Sequence, residues 1–218
     1  MDEISLYLYD AMAQVSDEFV ARQLTRLPAF RREYCTRYRQ SNDQAACVIA
    51  YLLLAKGLHE QYDLPPLRTF KYGKTGKPFL ADNPAYFSLS HCPRGVACAL
   101  ANTEVGVDIQ DVQSFNPEVA RRVCSAAELH ALSLSADPAD LFSLMWTRKE
   151  SYAKALGQSL ADVLRQDLPS TGFWSHRAPD YWLTTYCACE CQACTVATGS
   201  ISLPASGTGS DKVATPAW

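Results

Sequence analysis

The first residues of the chain alternate between apolar and polar side chains, which is the pattern of a strand. Ile4, Leu6 and Leu8 share one face, so we expect an opening strand that is half buried. A helical block follows it. Ser16 precedes two acidic residues and is expected to cap a first helix, and Pro28 ends that helix and begins a second one.

A broad apolar stripe at helical spacing predicts a long third helix, capped by Asn42 and ended by Pro65 and Pro66. Beyond these prolines the hydrophobic period changes from that of a helix to that of a strand. Short strand-like runs separated by turn residues lie at 67–71, 86–90, 95–101 and 105–110.

Helical periodicity returns in the second half of the chain, at 117–123, 126–134 and 138–156. Asp137 is a suitable N-cap for the last of these helices, and Gly157 lies just past its end. Residues 181–189 and 194–198 have strand character, and we expect them to close the structure as a pair. From Gly199 onward Ser, Gly, Pro and Thr dominate, which is typical of a flexible tail.

This order of elements predicts an α+β fold, with helices and strands in both halves. We expect an N-terminal α+β half over residues 1–111, a C-terminal α+β half over 112–198 and a flexible tail over 199–218. The two halves show no sequence similarity that would identify an internal repeat.

The composition is that of an ordinary globular protein, with 48% hydrophobic and 20% charged residues in a chain of 218. A net charge of −3 argues against nucleic-acid binding, which usually needs a basic surface, although a few basic residues can still line a cleft. The longest apolar run, 45–55, is too short to cross a membrane. Nine cysteines without an export signal predict free thiols in the cytoplasm.

The first candidate site lies on the helix predicted at 138–156. Trp146, Glu150 and Lys154 are spaced four residues apart and therefore share one stripe of that helix. Glu150 can bind a cation and Lys154 can neutralise phosphate oxygens. Lys149, one residue off this stripe, can alternatively orient the Glu150 carboxylate. For this motif alone, an exposed ion pair worth about 0.3–0.5 kcal/mol is the more frequent outcome.

A second candidate site lies on the strand predicted at 105–110. Asp108 and Gln110 are two residues apart, so both side chains point to the same face. Their oxygens, together with a carboxylate from a helix, are ligands that suit Mg²⁺. The alternative is an ordinary strand end with a solvated aspartate.

Two shorter motifs can contact phosphate groups. His91 ends a strand and can donate to a phosphate oxygen, or it can be an ordinary histidine at a sheet edge. Lys77 lies in a glycine–lysine turn that suits a phosphate or adenine contact. A P-loop is excluded because Arg68 stands where the first glycine would be for one Gly-Lys pair, and Lys71 stands there for the other. The segment around Ser90 lacks the glycines of a hydrolase nucleophile elbow.

The cysteine-rich segment near the end of the chain is a weaker candidate for metal binding. Its spacing is C-x-C-x-C-x-x-C, at Cys187, Cys189, Cys191 and Cys194. Zinc sites usually contain pairs of the form C-x₂₋₄-C, and thiols that alternate along a strand also serve as small core residues. A thiol-rich zinc protein therefore remains a minor alternative.

Taken together, the motifs resemble those of the 4′-phosphopantetheinyl transferases of the larger, Sfp-like type. The family pattern is G-K-P, N-x-S-H-S, G-[VI]-D-[IV]-E and W-[ST]-x-K-E-[SA]-x-x-K. This chain has G-K-P at 76–78, S-L-S-H-C at 88–92, G-V-D-I-Q at 106–110 and W-T-R-K-E-S-Y-A-K at 146–154. Each motif is weak alone, whereas four motifs in this order are specific.

The resemblance implies two similar α+β halves related by a pseudo-twofold axis, with coenzyme A bound in the cleft between them. It implies transfer of 4′-phosphopantetheine from coenzyme A to a serine of an acyl or peptidyl carrier protein, with Mg²⁺ as cofactor and release of 3′,5′-ADP. Because one chain would supply the whole cleft, we expect a monomer.

By position in the motifs, Asp108 and Glu150 would bind magnesium, Lys154 would contact the pyrophosphate, and these three would be the catalytic residues. Gln110 stands where the family usually has a second acid, so its amide oxygen or a water would complete the metal site. Ser88 stands where the family has Asn, so one minor hydrogen bond of the cleft would differ.

The resemblance also assigns residues to coenzyme A. Ser90 and His91 would touch its phosphates, together with Lys154, and Lys77 would contact its nucleotide end. Arg31, a looser match, would bind the 3′-phosphate. A non-catalytic module that binds coenzyme A or a carrier protein is the alternative, favoured by the substituted acid at Gln110.

Overall fold

The computed structural model describes residues 4–64, 69–82, 85–188 and 197–199. Its strands are β1 (Ser5–Tyr9), β2 (Phe70–Tyr72), β3 (Pro78–Leu80), β4 (Tyr86–His91), β5 (Val96–Ala101), β6 (Val105–Asp111), β7 (Phe173–Arg177), β8 (Tyr181–Cys187) and β9 (Ala197–Gly199). Its helices are α1 (Asp17–Arg26), α2 (Ala29–Cys35), α3 (Ser41–Tyr62), α4 (Pro117–Val123), α5 (Ala126–Leu134), α6 (Pro138–Leu156) and α7 (Leu160–Val163), with a 3₁₀ turn at Met12–Gln14. The mixture of helix and sheet agrees with the predicted α+β class.

Two sheets form the centre of the molecule. The N-terminal sheet has the order β4-β5-β1-β9, in which β1 is antiparallel to β5 and parallel to β9. The C-terminal sheet has the order β6-β8-β7 and is antiparallel throughout. Strands β2 and β3 form a separate hairpin.

The two sheets divide along the chain between Ala101 and Val105, because β6 pairs with β8. The predicted limits of the two halves, at 1–111 and 112–198, stay a prediction. The predicted closing pair is wrong in its pairing, because β8 lies between β6 and β7 whereas β9 joins β1. Gly199, predicted to begin the tail, ends β9, and the rest of that segment lies outside the described residues.

Strand β1 is buried on both faces, although its alternation predicted a half-buried strand. Ile4 and Leu6 lie in the core shared by the two sheets, while Tyr7 and Tyr9 lie in the core beneath α3. The tyrosine rings belong to the buried set because α3 covers the face that the sequence pattern assigned to solvent.

Each sheet is covered by one long helix on its outer face. Helix α3 packs on β5 and β1, and α6 packs on β6 and β8. The inner faces share an apolar core to which β1, β5, β6 and β8 all contribute. Since α6 and β6 carry the predicted acidic residues, this packing determines where those residues meet.

The caps of the C-terminal helices explain why their predicted limits are correct. Asp137 accepts a hydrogen bond from the Asp140 amide at 3.0 Å, and Gly157 ends α6 with a φ of 62°. The predicted cap at Asn42 is wrong, because α3 already begins at Ser41. None of the described helices is both long and apolar enough to cross a membrane.

Candidate active site

The structure brings the predicted acidic residues together with a lysine. On β6, Asp108 points toward α6, because Val107 and Ile109 on the alternate face pack into the core between the sheets. The Lys154 ammonium nitrogen lies 2.6 Å from Asp108 Oδ1 and 3.6 Å from Glu150 Oε2. With Ser90 these residues, Asp108, Glu150 and Lys154, form what we call the acid–lysine cluster.

Ser90 connects this cluster to the N-terminal sheet. Its hydroxyl donates to Asp108 Oδ1 at 2.7 Å and accepts from Lys154 Nζ at 3.0 Å. It also accepts from the Ile109 amide at 3.4 Å. Ser88, two residues earlier, accepts from the Val107 amide at 3.0 Å. The two serines of β4 therefore hold the edge of β6 by side-chain hydrogen bonds, so Ser88 has a role at the junction of the sheets.

The environment of Asp108 favours the binding of a positively charged ligand. The residue is only 4% exposed, and its Oδ2 is buried without a hydrogen-bond partner among the residues that the structure describes. A buried carboxylate oxygen without a partner is costly, and a bound cation or a donor on a ligand would remove that cost.

By themselves, the residues of the cluster supply only some of the ligands that a magnesium ion needs. Within the described residues, no group of three or more His, Cys, Asp or Glu side chains is placed to hold a metal. Mg²⁺, however, commonly uses one or two protein carboxylates and takes its other ligands from water and substrate phosphates. Asp108 and Glu150 are two such carboxylates, and the Lys154 ammonium lies beside both of them.

Burial raises the pKa of the Glu150 carboxyl above its ordinary value. The nearby Lys154 ammonium opposes this shift, and the negative charge of Asp108 adds to it. A carboxylate with a raised pKa accepts a proton more readily, which is a property of a general base.

Gln110 and His91 lie at the border of the cluster. Gln110 follows Asp108 on the same face of β6, opposite Trp182, and is partly exposed. His91 is exposed at the end of β4, yet surrounding atoms exclude enough water to lower its pKa. The carboxylates of Asp43 and Asp108 oppose that shift and Lys154 adds to it, so His91 lies within electrostatic reach of the cluster.

Arg31 lies elsewhere. It is 6% exposed, donates from Nη2 to the Cys47 carbonyl at 3.2 Å and has its guanidinium 4.7 Å from the centre of the Tyr34 ring. Tyr51 and Phe70 complete this aromatic environment in the N-terminal core. These contacts do not bring Arg31 into the acid–lysine cluster, and its contact with a 3′-phosphate stays a prediction.

Comparison with known proteins identifies the family of this chain. The model of the 4′-phosphopantetheinyl transferase superfamily matches residues 104–195. The chain is 29% identical over 163 residues to the transferase Sfp of Bacillus subtilis (strain 168), covering 72% of this chain and 70% of that one. It is 30% identical over 151 residues to the transferase ffp of Bacillus subtilis, covering 67% of each chain. The chain belongs to the 4′-phosphopantetheinyl transferase superfamily. It is a transferase of the phosphopantetheine group.

The Lys77 side chain of this transferase forms hydrogen bonds with backbone carbonyls. Its ammonium donates to the Val105 carbonyl at 3.2 Å and to the Ala155 carbonyl at 3.0 Å, and burial lowers its pKa. A cavity of about 360 Å³ adjoins it, lined in part by Phe79 and Tyr86. A contact between Lys77 and the nucleotide end of coenzyme A stays a prediction.

The prediction that Lys149 orients Glu150 is wrong. Lys149 is 1% exposed and turns away from the cluster, with its ammonium 2.9 Å from Glu128 Oε2 and 3.1 Å from the Gln166 carbonyl. Consecutive helix residues point about 100° apart, since a turn contains 3.6 residues. Lys149 therefore connects α6 to α5, while Glu150 faces β6.

Two features that position the site were missed in the sequence. A Cβ on Gly106 would lie 1.9 Å from the Ser151 carbonyl oxygen, so β6 and α6 approach each other at backbone distance. Farther along the same interface, Thr147 and Thr184 share a hydrogen bond of 2.9 Å. A glycine inside a predicted strand is a signal of close backbone approach, and it could have identified the Gly106 contact.

The cysteine-rich segment is described only at its start. Cys187 is buried in the core between the sheets. Cys189, Cys191 and Cys194 lie outside the described residues, so the predicted alternatives for this segment stay predictions.

Proposed function

We propose that this transferase moves 4′-phosphopantetheine from coenzyme A to a serine of an acyl or peptidyl carrier protein, in a magnesium-dependent reaction that releases 3′,5′-ADP. The observation that carries the proposal is the convergence of Asp108, Glu150 and Lys154, with Asp108 Oδ2 buried and unpaired among the described residues. Family membership supports the donor and the acceptor.

The reaction is a phosphoryl transfer. The serine oxygen forms a bond to the β-phosphorus of coenzyme A, and the bond from that phosphorus to the bridging oxygen breaks. The bonding electrons leave with the α-phosphate of 3′,5′-ADP, while the serine proton passes to a base. Such reactions need positioning and charge neutralisation more than covalent chemistry from the enzyme.

The acid–lysine cluster supplies these functions. Glu150 is the base for the serine proton, directly or through a water, because its carboxylate lies in the cluster beside Lys154. Lys154, held between Asp108 and Glu150, neutralises oxygens of the diphosphate. Asp108 and Glu150 would hold Mg²⁺, with the amide oxygen of Gln110 or a water as a further ligand. When bound, the ion offsets the charge of the diphosphate.

The remaining assignments place coenzyme A along the junction of the sheets. Ser90 and His91 contact its phosphates and Arg31 its 3′-phosphate, while a contact of Lys77 with the nucleotide end competes with the two backbone carbonyls that its ammonium already binds. We propose that the two α+β halves are related by a pseudo-twofold axis, with the ligand in the cleft between them. We propose that the transferase acts as a monomer, which is supported by the fact that β4, β6 and α6 of one chain supply the whole cluster.

The test is a carrier-labelling assay with two substitutions. Asp108→Ala and Glu150→Ala should each lower the rate at which an apo carrier protein gains phosphopantetheine by about 100-fold or more, since each removes charge stabilisation from the reacting groups. Mass spectrometry of the carrier, incubated with coenzyme A and Mg²⁺, measures this rate.

Glu118→Ala is the matched control, because Glu118 is an exposed acid on α4 outside the cluster. Circular dichroism verifies that all variants are folded. Near-native labelling by either cluster variant would show that the assignment of the cluster is wrong.

A further inference from the structure

Two side chains of the turn between β2 and β3 hold the end of helix α6. The Lys77 ammonium contacts the carbonyls of Val105, at 3.2 Å, and Ala155, at 3.0 Å. The Thr75 hydroxyl donates to the Gly157 carbonyl at 2.9 Å. The last carbonyls of a helix have no partners within it, and these donors satisfy two carbonyls at the C-terminal end.

A cation is well suited to this position. The C-terminal end of a helix carries partial negative charge, which favours a nearby ammonium group. Lys77 keeps this position even though burial lowers its pKa, and the carboxylate of Glu104 opposes that shift.

The two carbonyls belong to the elements that carry the acid–lysine cluster. Val105 lies three residues before Asp108 on β6, and Ala155 directly follows Lys154 on α6. Lys77 therefore joins the strand of one acid to the helix of the other through a single nitrogen atom. A small movement of α6 away from β6 would change the 2.6 Å contact between Lys154 and Asp108.

The packing at Gly106 makes the position of α6 sensitive to the hydrogen bonds that Lys77 donates. At Gly106 the backbones of the strand and the helix touch, near Ser151 and Ala155. That contact limits how closely α6 approaches β6, but it does not prevent α6 from moving outward. The hydrogen bonds from Lys77 act in that second direction, since they link the C-terminal turn of the helix to β6.

We propose that Lys77 is a positioning residue for phosphopantetheine transfer, a role that rests on the proposed function of the cluster. It fixes the C-terminal turn of α6 against β6 and thereby sets the separation between Asp108 and the Glu150–Lys154 pair. A nucleotide contact alone would make Lys77 important for binding coenzyme A. A positioning role makes it important for the rate after coenzyme A is bound.

Lys77→Met separates these roles, because methionine keeps much of the apolar stem and removes the donors. We expect kcat at saturating coenzyme A to fall by about 10–100-fold, as displacement of reacting groups by ~1 Å has such an effect. The KM for coenzyme A should change by less than about threefold. Thr75→Val, which removes the other donor to the helix end, should give a smaller fall in kcat.

Lys71→Met is the matched control, because Lys71 is an exposed lysine on the same hairpin. Its kcat and KM should equal those of the unsubstituted chain. Titration calorimetry with coenzyme A supplies a readout that does not depend on turnover, and Lys77→Met should keep the affinity of the unsubstituted chain.

Different results would overturn the positioning role of Lys77 and the proposed function of the protein. A weaker affinity of Lys77→Met for coenzyme A with an unchanged kcat would overturn the positioning role. The same role would be overturned if Lys77→Met labelled the carrier at the normal rate, or if Thr75→Val had a normal kcat. Failure of the unsubstituted chain to label any carrier would instead overturn the proposed function.

Discussion

At the scale of single residues, two lysines on α6 have opposite environments. Lys149 is fully buried and paired with Glu128, which also accepts a hydrogen bond from the Ser125 amide at 2.7 Å as part of a capping box. Lys154, five residues later, is partly exposed and belongs to the acid–lysine cluster. The first lysine therefore serves mainly the fold, and the second serves the site.

Removing the buried lysine should destabilise the protein. Lys149→Met leaves the Glu128 carboxylate without its partner, and breaking a buried ion pair in this way costs about 3 kcal/mol of unfolding free energy. Urea unfolding, followed by circular dichroism, measures the loss.

Lys56→Met is the control for this change. Lys56 forms an exposed pair with Glu60 on α3, with side chains 31% and 42% exposed, and such pairs contribute less than about 0.5 kcal/mol. Equal losses in the two variants would contradict the distinction between the buried and the exposed pair.

The sequence indicated which residues of the site come together but not what each lysine contacts. Spacing alone placed Asp108 on a strand face and Glu150 with Lys154 on a helix stripe, and these side chains meet in the structure. The contacts of Lys149 and Lys77 within the protein had no signal in the sequence, because their partners, Glu128 and two backbone carbonyls, are remote in sequence or carry no side-chain signal.

At the scale of elements, the site depends on the approach of β6 to α6. Gly106 allows the two backbones to touch, and the hydrogen bond between Thr147 and Thr184 joins α6 to the neighbouring strand β8. The motif glycine is thus required by packing, since no other side chain fits between the strand and the helix.

Gly106→Ala should therefore displace the helix. Its Cβ would meet the Ser151 carbonyl oxygen at 1.9 Å and the Ala155 nitrogen at 2.6 Å, both of them backbone atoms. Overpacking of this kind costs about 2–3 kcal/mol or more of unfolding free energy. Gly73→Ala is the control, because its Cβ would make an ordinary contact at 3.7 Å. Urea unfolding of both variants tests the expectation, and equal stability of the two would refute it.

Elements with local signals were predicted well. The limits of α4, α5 and α6 were correct because Asn116, Ser125 and Asp137 cap them from within the same segment. No comparable local signal marks β7, the parallel pairing of β9 with β1, or the burial of both faces of β1. These features depend on partners that are far away in the chain, and local patterns do not identify such partners.

At the scale of the whole molecule, many ionisable groups are buried in their neutral form. Burial raises the pKa of Tyr7 and Tyr51 to about 12 and, with a contribution from Asp111, that of the Cys92 thiol to about 12. Burial also raises the pKa of the Cys124 thiol to about 11. In the unfolded chain these groups ionise at ordinary values near 9 for thiols and 10 for phenols.

The stability of the protein should therefore fall in alkaline solution. Between about pH 9 and 12 the unfolded chain loses protons that the folded chain keeps, so each such group lowers the unfolding free energy by up to ~1.4 kcal/mol per pH unit. Below pH 9 both states are protonated and the contribution is constant. Urea unfolding at pH 8.5, 9.5 and 10.5 measures the slope.

Cys92→Ala gives the matched comparison, because it removes one of these groups. Its unfolding free energy should fall less steeply between pH 9 and 12 than that of the unsubstituted chain. A stability that is constant or increases over this range would contradict the assignment of the buried groups.

The pairing of β9 with β1 means that the N-terminal sheet is not built from one continuous stretch of sequence, whereas the C-terminal sheet lies entirely within residues 105–187. A cut in the connection at 102–104 would leave residues 1–101 without the edge strand that lies parallel to β1. The second fragment would still carry that strand. Two such pieces would therefore complement each other when mixed, and the strand that returns to the first sheet would help to hold the reassembled molecule together.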